Sequence, residues 1–378
     1  MKVPEGVIVA MLTPFDKEGN INEKEVRKLV NFLIDKGVHG IFPVASCGEY
    51  THLDMPERKY LIDIVVDENK GRVDIIPGTG ATCYQKSIEL AEHARQKGCA
   101  GIVLHGPFFF KNINDIVEGH LVKVAKSVDI PVFLYNIPFF ANEVTPEIAA
   151  NVCSIPNVVG IKDSSGNMVN VMNLIDMTRK IRPDFKVLVG AEEIMYPALC
   201  AGGNGCMTAM AGIMPEFMVA IYNNYFSGDK KLALEMQLAI LEMIRVMKSV
   251  NFPQGFKEAL DLRGIEMGPP KMPFNDKLYS NLMHTKEKLE FIMETLLKKY
   301  FIGTDLRYYP YERTFSDLNI TPRIDIDTSN PKYIGCIGCN GCESDLERES
   351  KDCSQKDSMG NLDEIVRNVV SDVLKNMG

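Results

Sequence analysis

A lysine closes an apolar run at Ile161-Lys162-Asp163, and a tyrosine closes another at Tyr135-Asn136-Ile137-Pro138. A lysine at the end of such a run is poorly solvated, and its amine, when neutral, attacks ketones. A tyrosine hydroxyl beside it can move protons to the carbinolamine and to the substrate. Earlier in the chain, Ala45-Ser46-Cys47-Gly48-Glu49 is a small-residue turn leading towards a helix. Such a turn suits a cradle of backbone amides for a carboxylate. On these residues alone, a strand-end lysine in open solvent is the commoner situation.

A second chemical grouping lies near the carboxyl end. Cys336, Cys339, Cys342 and Cys353 are spaced C-x-x-C-x-x-C-x10-C. Four thiolates this close suit an iron–sulfur cluster or zinc. Free thiols in a flexible loop are the alternative, because Gly335, Gly338 and Gly341 accompany them. The other six of the ten cysteines are scattered. In a chain expected to be cytoplasmic they read as free thiols. The six histidines form no close ligand pair.

The elements that must position these residues alternate. Eight short β-branched runs occur, at Val7–Met11, Gly40–Val44, Val73–Pro77, Gly101–Leu104, Pro131–Tyr135, Val158–Lys162, Lys186–Gly190 and Gly203–Met207. Most are continuously apolar, as strands covered on both faces should be. Helical periodicity separates them, over Asn22–Lys36, Pro56–Glu68, Thr82–Lys97, Asn114–Ser127, Pro146–Val152, Asn167–Lys180 and Glu192–Ala201. Eight strand–helix units predict a parallel sheet, and their number suits a (β/α)8 TIM barrel of about 250 residues; an open doubly wound sheet is the rival, and periodicity does not separate the two. Neither dinucleotide nor P-loop glycine motif is present, and Gly78-Thr79-Gly80 reads as a tight turn after the third strand.

Residues 213–300 are predicted to be helical, with Leu234, Leu238, Leu241 and Ile244 as a packing stripe. The predicted organisation is therefore a barrel with trailing helices over 1–300, a linker or wrapping arm over 301–335 containing Pro310, Pro322 and Pro331, and a tail over 336–378. A net charge of −8 argues against nucleic acid or an anionic membrane as partner. No apolar run approaches the ~18 residues of a membrane span. The run Gly6–Leu12 is too short for a signal sequence, so the expected location is the cytoplasm.

The order of the pieces adds a stronger signal. G-V-I-V-A-M-L-T-P-F near the start, S-C-G-E after strand two, Y-N-I-P after strand five and G-I-K-D after strand six form an ordered series. With E-R-K-Y at Glu57–Tyr60, P-F-F-F at Pro107–Phe110 and G-G-N-G at Gly202–Gly205, residues 3–300 resemble the dihydrodipicolinate synthase / N-acetylneuraminate lyase family of class I pyruvate aldolases. The resemblance implies a Schiff base on Lys162, with Tyr135 as general acid/base. It further implies that Ser46 and Cys47 amides hold the pyruvate carboxylate, that the Ser46 hydroxyl joins a proton relay, and that Gly190 lines the site. Met207, at the end of strand eight, is expected to line it too. Cys47 replaces a usual hydroxyl residue; a packed, inert thiol is expected there. No metal or organic cofactor is implied for the aldolase step. A homotetramer built from tight dimers is.

Two departures bear on substrate. The synthase branch has an arginine two residues after the proline of Y-N-x-P, where Phe140 stands here, so a grip on the carboxylate of aspartate semialdehyde is missing. The synthase relay takes a tyrosine hydroxyl from the neighbouring subunit, where Phe109 stands here. Both favour a catabolic lyase over lysine biosynthesis; the acidic pair that follows makes a hydroxylated 2-keto-3-deoxy acid, cleaved to pyruvate and an aldehyde, the expected substrate. Glu192 and Glu193 lie where the sialic-acid lyase branch holds sugar hydroxyls; equally, they can favour the following helix N-terminus electrostatically. The alternatives are 4-hydroxy-tetrahydrodipicolinate synthase, a 2-keto-3-deoxy sugar acid dehydratase, or a non-catalytic cysteine-rich scaffold or redox sensor. Finally, Asn361–Met377 carries an amphipathic helical pattern. It suits docking on its own barrel or, resembling terminal targeting peptides, on a shell protein of a bacterial microcompartment.

Overall fold

The computed structural model describes residues 3–308. Eight parallel strands run β1 (Gly6–Ala10), β2 (Gly40–Phe42), β3 (Asp74–Ile75), β4 (Ile102–His105), β5 (Val132–Asn136), β6 (Val158–Asp163), β7 (Lys186–Val189) and β8 (Gly205–Thr208). Their order is β3-β2-β1-β8-β7-β6-β5-β4. The first and last of that series meet at a parallel bridge between Gly78 and Val103, where Thr79 N donates to Val103 O and Val103 N to Pro77 O, each at 2.9 Å. The sheet thus curls round on itself as a TIM barrel. Gly78-Thr79 continues β3 as part of this closure, which a simple tight turn would not provide. The strands are almost wholly buried, and their β-branched residues fill the interior between strands and surrounding helices.

Helices α1 (Glu23–Asp35), α2 (Met55–Asn69), α3 (Tyr84–Gln96), α4 (Asn114–Ser127), α5 (Pro146–Val152), α6 (Met168–Ile181) and α7 (Met195–Cys200) follow the first seven strands. Their caps explain several boundaries. Asp54 and Glu57 form a reciprocal capping box at 2.8 Å each way, so the glutamate of E-R-K-Y starts a helix, a contribution of about 1 kcal/mol. Asn22 and Asn167 cap α1 and α6. Beyond β8 come α8 (Met210–Ile213), α9 (Pro215–Ser227), α10 (Lys230–Ala239), α11 (Leu241–Met247), α12 (Gln254–Leu262) and α13 (Asp276–Tyr300).

The predicted stripe on these helices is only half met. Ile244 is buried, but Leu234 and Leu238 are exposed, and α10 buries Ala233, Met236 and Gln237 instead. The helix is interrupted at Ile240 between α10 and α11, so one helical period does not carry a single face across both. The start of the predicted arm does lie on the barrel. Tyr308 N donates to Arg263 O at 2.7 Å, and the Tyr308 hydroxyl donates to Asp35 at 2.6 Å. The rest of the arm, the cysteines at 336–353 expected to hold a metal and the helix expected at Asn361–Met377 lie outside the described residues. Among the described residues no helix is long and apolar enough to cross a membrane.

Candidate active site

The site is built on two adjacent strand ends. Tyr135 on β5 pairs in register with Lys162 on β6, and Asn136 with Asp163. The Lys162 Nζ lies 4.2 Å from the centre of the Tyr135 ring and 4.9 Å from that of Phe42. Lys162 is only 3% exposed although its amine reaches a cavity. Asp163 locks the pair in place. Its carboxylate accepts from Asn136 Nδ2 at 2.7 Å, Asn170 Nδ2 at 3.0 Å and Ser165 Oγ at 2.6 Å. Burial pushes its carboxyl above the usual range, and these bonds oppose that shift. Asn136 Oδ1 accepts from Val144 N at 3.1 Å, fastening the loop after β5 as well.

The cavity measures about 530 Å³. Ser46, Cys47, Tyr135, Lys162, Gly190 and Glu192 all reach it, so six of the seven residues expected from sequence come together. Gly190 has a steric reason: a Cβ there would stand 2.6 Å from Lys162 Cε and 1.9 Å from Ser164 Oγ. Met207 is the exception. It is fully buried in the barrel and does not line the cavity. Strand β8 runs one residue further than expected, to Thr208, so Ala209 reaches the cavity instead. The Cys47 thiol donates to Ala10 O at 3.2 Å, and burial pushes its pKa up to about 12, which suits the packed role. The six described cysteines are free.

The turn carrying Ser46 and Cys47 is anchored from below. Glu49, at a left-handed φ of 59°, accepts from Lys257 Nζ at 2.9 Å, and both side chains are buried. Burial holds the Lys257 ammonium below its ordinary pKa, with Glu49 opposing. Above, the cavity rim has two unlike walls. Phe139 and Phe140 are exposed, and Phe140 packs on Phe252 at 5.8 Å between ring centres. Opposite, Lys248 Nζ lies 2.5 Å from Glu193 Oε1 and 3.5 Å from Glu192 Oε2. Burial pushes the Glu192 carboxyl up, and Lys248 partly offsets this. Burial works against the Lys248 ammonium, but the two carboxylates outweigh it and raise its pKa.

Sequence reasoning missed Asn170, Lys248, Lys257, Tyr50 and His105. Asn136 and Asp163 were in quoted motifs without a role. Lys248 and Lys257 sit on or beside trailing helices, with no local motif to mark them.

A closed ring of eight parallel strands, with a buried lysine and a tyrosine paired at the carboxyl ends of two neighbours, defines a barrel enzyme equipped for imine chemistry. The profile of the dihydrodipicolinate synthetase family matches residues 3–291. A 4-hydroxy-tetrahydrodipicolinate synthase of Methanopyrus kandleri is 34% identical over 275 residues, covering 72% of this chain and 91% of that one. A DapA-like lyase of Halobacterium salinarum, itself uncharacterised, is 32% identical over 269 residues, covering 71% and 87%. Among solved structures, YagE, a prophage protein of the dihydrodipicolinic acid synthase family from E. coli K12, crystallised with pyruvate, superposes with a TM-score of 0.72. It is 28% identical, over 77% of this chain and 98% of that one. The chain belongs to the dihydrodipicolinate synthetase family. It is a lyase of the class I, Schiff-base type.

Proposed function

We propose that Lys162 forms a Schiff base with the keto carbon of a 2-oxo acid, and that the enzyme makes or breaks the bond between pyruvate and a hydroxylated aldehyde. The observation that carries this reading is the register pairing of Tyr135 with a Lys162 that is buried yet opens on the cavity. The complex of YagE with pyruvate supports pyruvate as the partner.

In the cleavage direction the Lys162 amine adds to the keto carbon, and the carbinolamine loses water with a proton supplied by Tyr135. The iminium draws in the electron pair of the C3–C4 bond. The C4 hydroxyl gives its proton to Tyr135 and departs as aldehyde. The enamine takes a proton at C3, and water releases pyruvate and free lysine. Loss of the C3 proton from the intact iminium, in place of C3–C4 cleavage, would give an enamine that expels the C4 hydroxyl as water, which is the dehydratase outcome. The Ser46 and Cys47 amides are assigned to the substrate carboxylate. Glu192, Glu193 and Lys248 offer acceptors and a donor for hydroxyls at the far end.

The second reading is 4-hydroxy-tetrahydrodipicolinate synthesis, in which the pyruvate enamine adds to aspartate semialdehyde. The names of the relatives favour it over the first reading. The chain's own rim favours the first. Phe140 gives no charge to grip a second carboxylate, and among the described residues the one cation lining the cavity beside Lys162, Lys248, is already shared by two carboxylates. Two assays separate them. Pyruvate release from a panel of 2-keto-3-deoxy acids, faster than condensation of pyruvate with aspartate semialdehyde, supports the first; the reverse order establishes the second. We also read the exposed Phe109, Phe110 and Ile113 as a face for assembly of the tetramer that the family resemblance implies. Sedimentation of the protein tests this, and a monomer at all concentrations would rule it out.

A further inference from the structure

Beneath the main cavity, a buried polar pair faces the same tyrosine and serine from the other side. His105 closes β4 in register with Tyr135, and the two rings lie 6.3 Å apart. His105 Nδ1 is 2.6 Å from Gly106 O. A carbonyl only accepts, so Nδ1 carries the proton and the neutral ring offers Nε2 as an acceptor. The Tyr50 hydroxyl donates to that Nε2 at 2.8 Å. Burial holds the imidazole down to about 4 and pushes the Tyr50 phenol up, so both groups are neutral at neutral pH and this tautomer is the resting one. The pair is shaped into the fold. A Cβ on Gly80 would stand 2.0 Å from His105 Nε2, so only glycine leaves room for the ring.

With its proton committed to His105, the Tyr50 oxygen keeps its lone pairs for a donor. Tyr50, His105, Ser46 and Tyr135 share the wall of a cavity of about 10 Å³, closed by Phe42, Val44 and Val103. That is room for about one water, with polar partners enough to hold it. The Arg58 guanidinium lies over the Tyr50 ring at 4.9 Å, and Arg58 and His120 both oppose a charge on His105.

We propose that Tyr50, His105 and one water in this cavity form the inner end of a proton relay that begins at Tyr135 and Ser46. This rests on the Schiff-base reading of Lys162. Once Tyr135 has regained from water the proton it gave the carbinolamine, the pyruvate iminium becomes an enamine as the C3 proton passes to the Tyr135 oxygen and the Tyr135 proton moves to Ser46. The Ser46 proton moves to the water, a water proton to Tyr50, and the Tyr50 proton to His105 Nε2. One positive charge leaves the iminium and one appears on the imidazole, so charge and protons balance. The imidazole holds that proton only briefly and returns it along the same path. Tyr50 and His105 act through Tyr135, and are positioning residues for it. The relay lies within one chain, and so does without a hydroxyl at Phe109.

The probe is pyruvate alone in D2O. Exchange of its methyl protons, followed by proton NMR, reports enamine formation, while borohydride trapping on Lys162 reports the Schiff base. In Tyr50→Phe and in His105→Gln, trapping should match the parent and exchange should fall by roughly tenfold or more. The glutamine oxygen can accept from Tyr50 but cannot take up its proton, so it separates relay from mere orientation. Parental exchange in either variant, with trapping intact, overturns the relay. If one variant does not fold, as shown by loss of trapping and of cooperative unfolding, the other decides. Absence of a trapped adduct in the parent would instead refute the Schiff-base reading on which the relay stands.

Discussion

At the floor of the cavity, Tyr135 and Lys162 are neighbours across one strand pair, held by an Asn136–Asp163 bond of 2.7 Å and by Asn170. At the rim, Phe140 from one loop meets Phe252 from a distant one, while Glu193 reaches Lys248 across 55 residues of sequence. The floor is made of strand ends whose backbone is fixed by the barrel and whose buried polar atoms bond to one another. The rim is made of exposed aromatic side chains on one wall and, on the other, of a buried Glu192 and a more open Glu193 and Lys248. The difference teaches that bond-making chemistry and partner choice are separable here. In the function proposed above, the floor carries the imine-forming amine and the rim meets the rest of the substrate.

Breaking the floor should have the largest effect. Lys162→Ala should reduce turnover by a factor on the order of 10³ or more with folding unchanged, measured by pyruvate release. Tyr135→Phe should slow turnover by roughly 10²–10⁴ and still permit trapping on Lys162. Lys257→Met attacks the floor through stability, because it leaves Glu49 buried without its partner. A loss of about 3–5 kcal/mol in urea unfolding is expected. A loss near zero would show that the Ser46–Cys47 turn does not depend on that pair.

The rim should respond differently. Phe140→Arg should leave trapping unchanged, and raise kcat/KM for a carboxylate-bearing aldehyde by about tenfold, the worth of one charge-assisted hydrogen bond. An equal loss of trapping would show that floor and rim are coupled. A smaller effect concerns pH. His105 is held down to about 4 in the folded protein, against 6.5 for an ordinary histidine. The unfolded chain therefore takes up this proton first. Stability is full above about pH 6.5 and falls as pH drops towards 4, by up to about 1.4 kcal/mol per unit from this group. Equilibrium unfolding of the parent and of His105→Gln across that window should show a shallower slope in the variant. The mildest probe is thiol labelling at pH 8. Exposed Cys200 should react with iodoacetamide, and buried Cys47, with its thiol pushed up to about 12, should not.

The contrast between floor and rim also sets what could be seen in the sequence. Strand runs were legible because both faces of each strand are covered, so apolar residues run without interruption. Helices α4 and α5 fall where periodicity placed them, at Asn114–Ser127 and Pro146–Val152. Lys162, Tyr135, Ser46 and Gly190 were legible because strand ends bring motif residues to one place whatever the loops do. Met207 was misplaced because β8 runs on past it to Thr208, which leaves Met207 inside the barrel and the cavity to Ala209 beyond the strand end. Lys248 and Lys257 were invisible because their partners lie 55 and 208 residues away. The Tyr50–His105 pair was hidden for a similar reason, its members being 55 residues apart and each alone resembling an ordinary aromatic core position.

The central claim is that Lys162 is the amine that carries the substrate. The direct test is to incubate the protein with pyruvate, reduce with borohydride, digest, and locate the adduct by mass spectrometry. The account predicts a reduced pyruvate adduct on the peptide containing Gly160-Ile161-Lys162-Asp163, absent when borohydride is omitted. No adduct, or an adduct confined to another lysine, would contradict it.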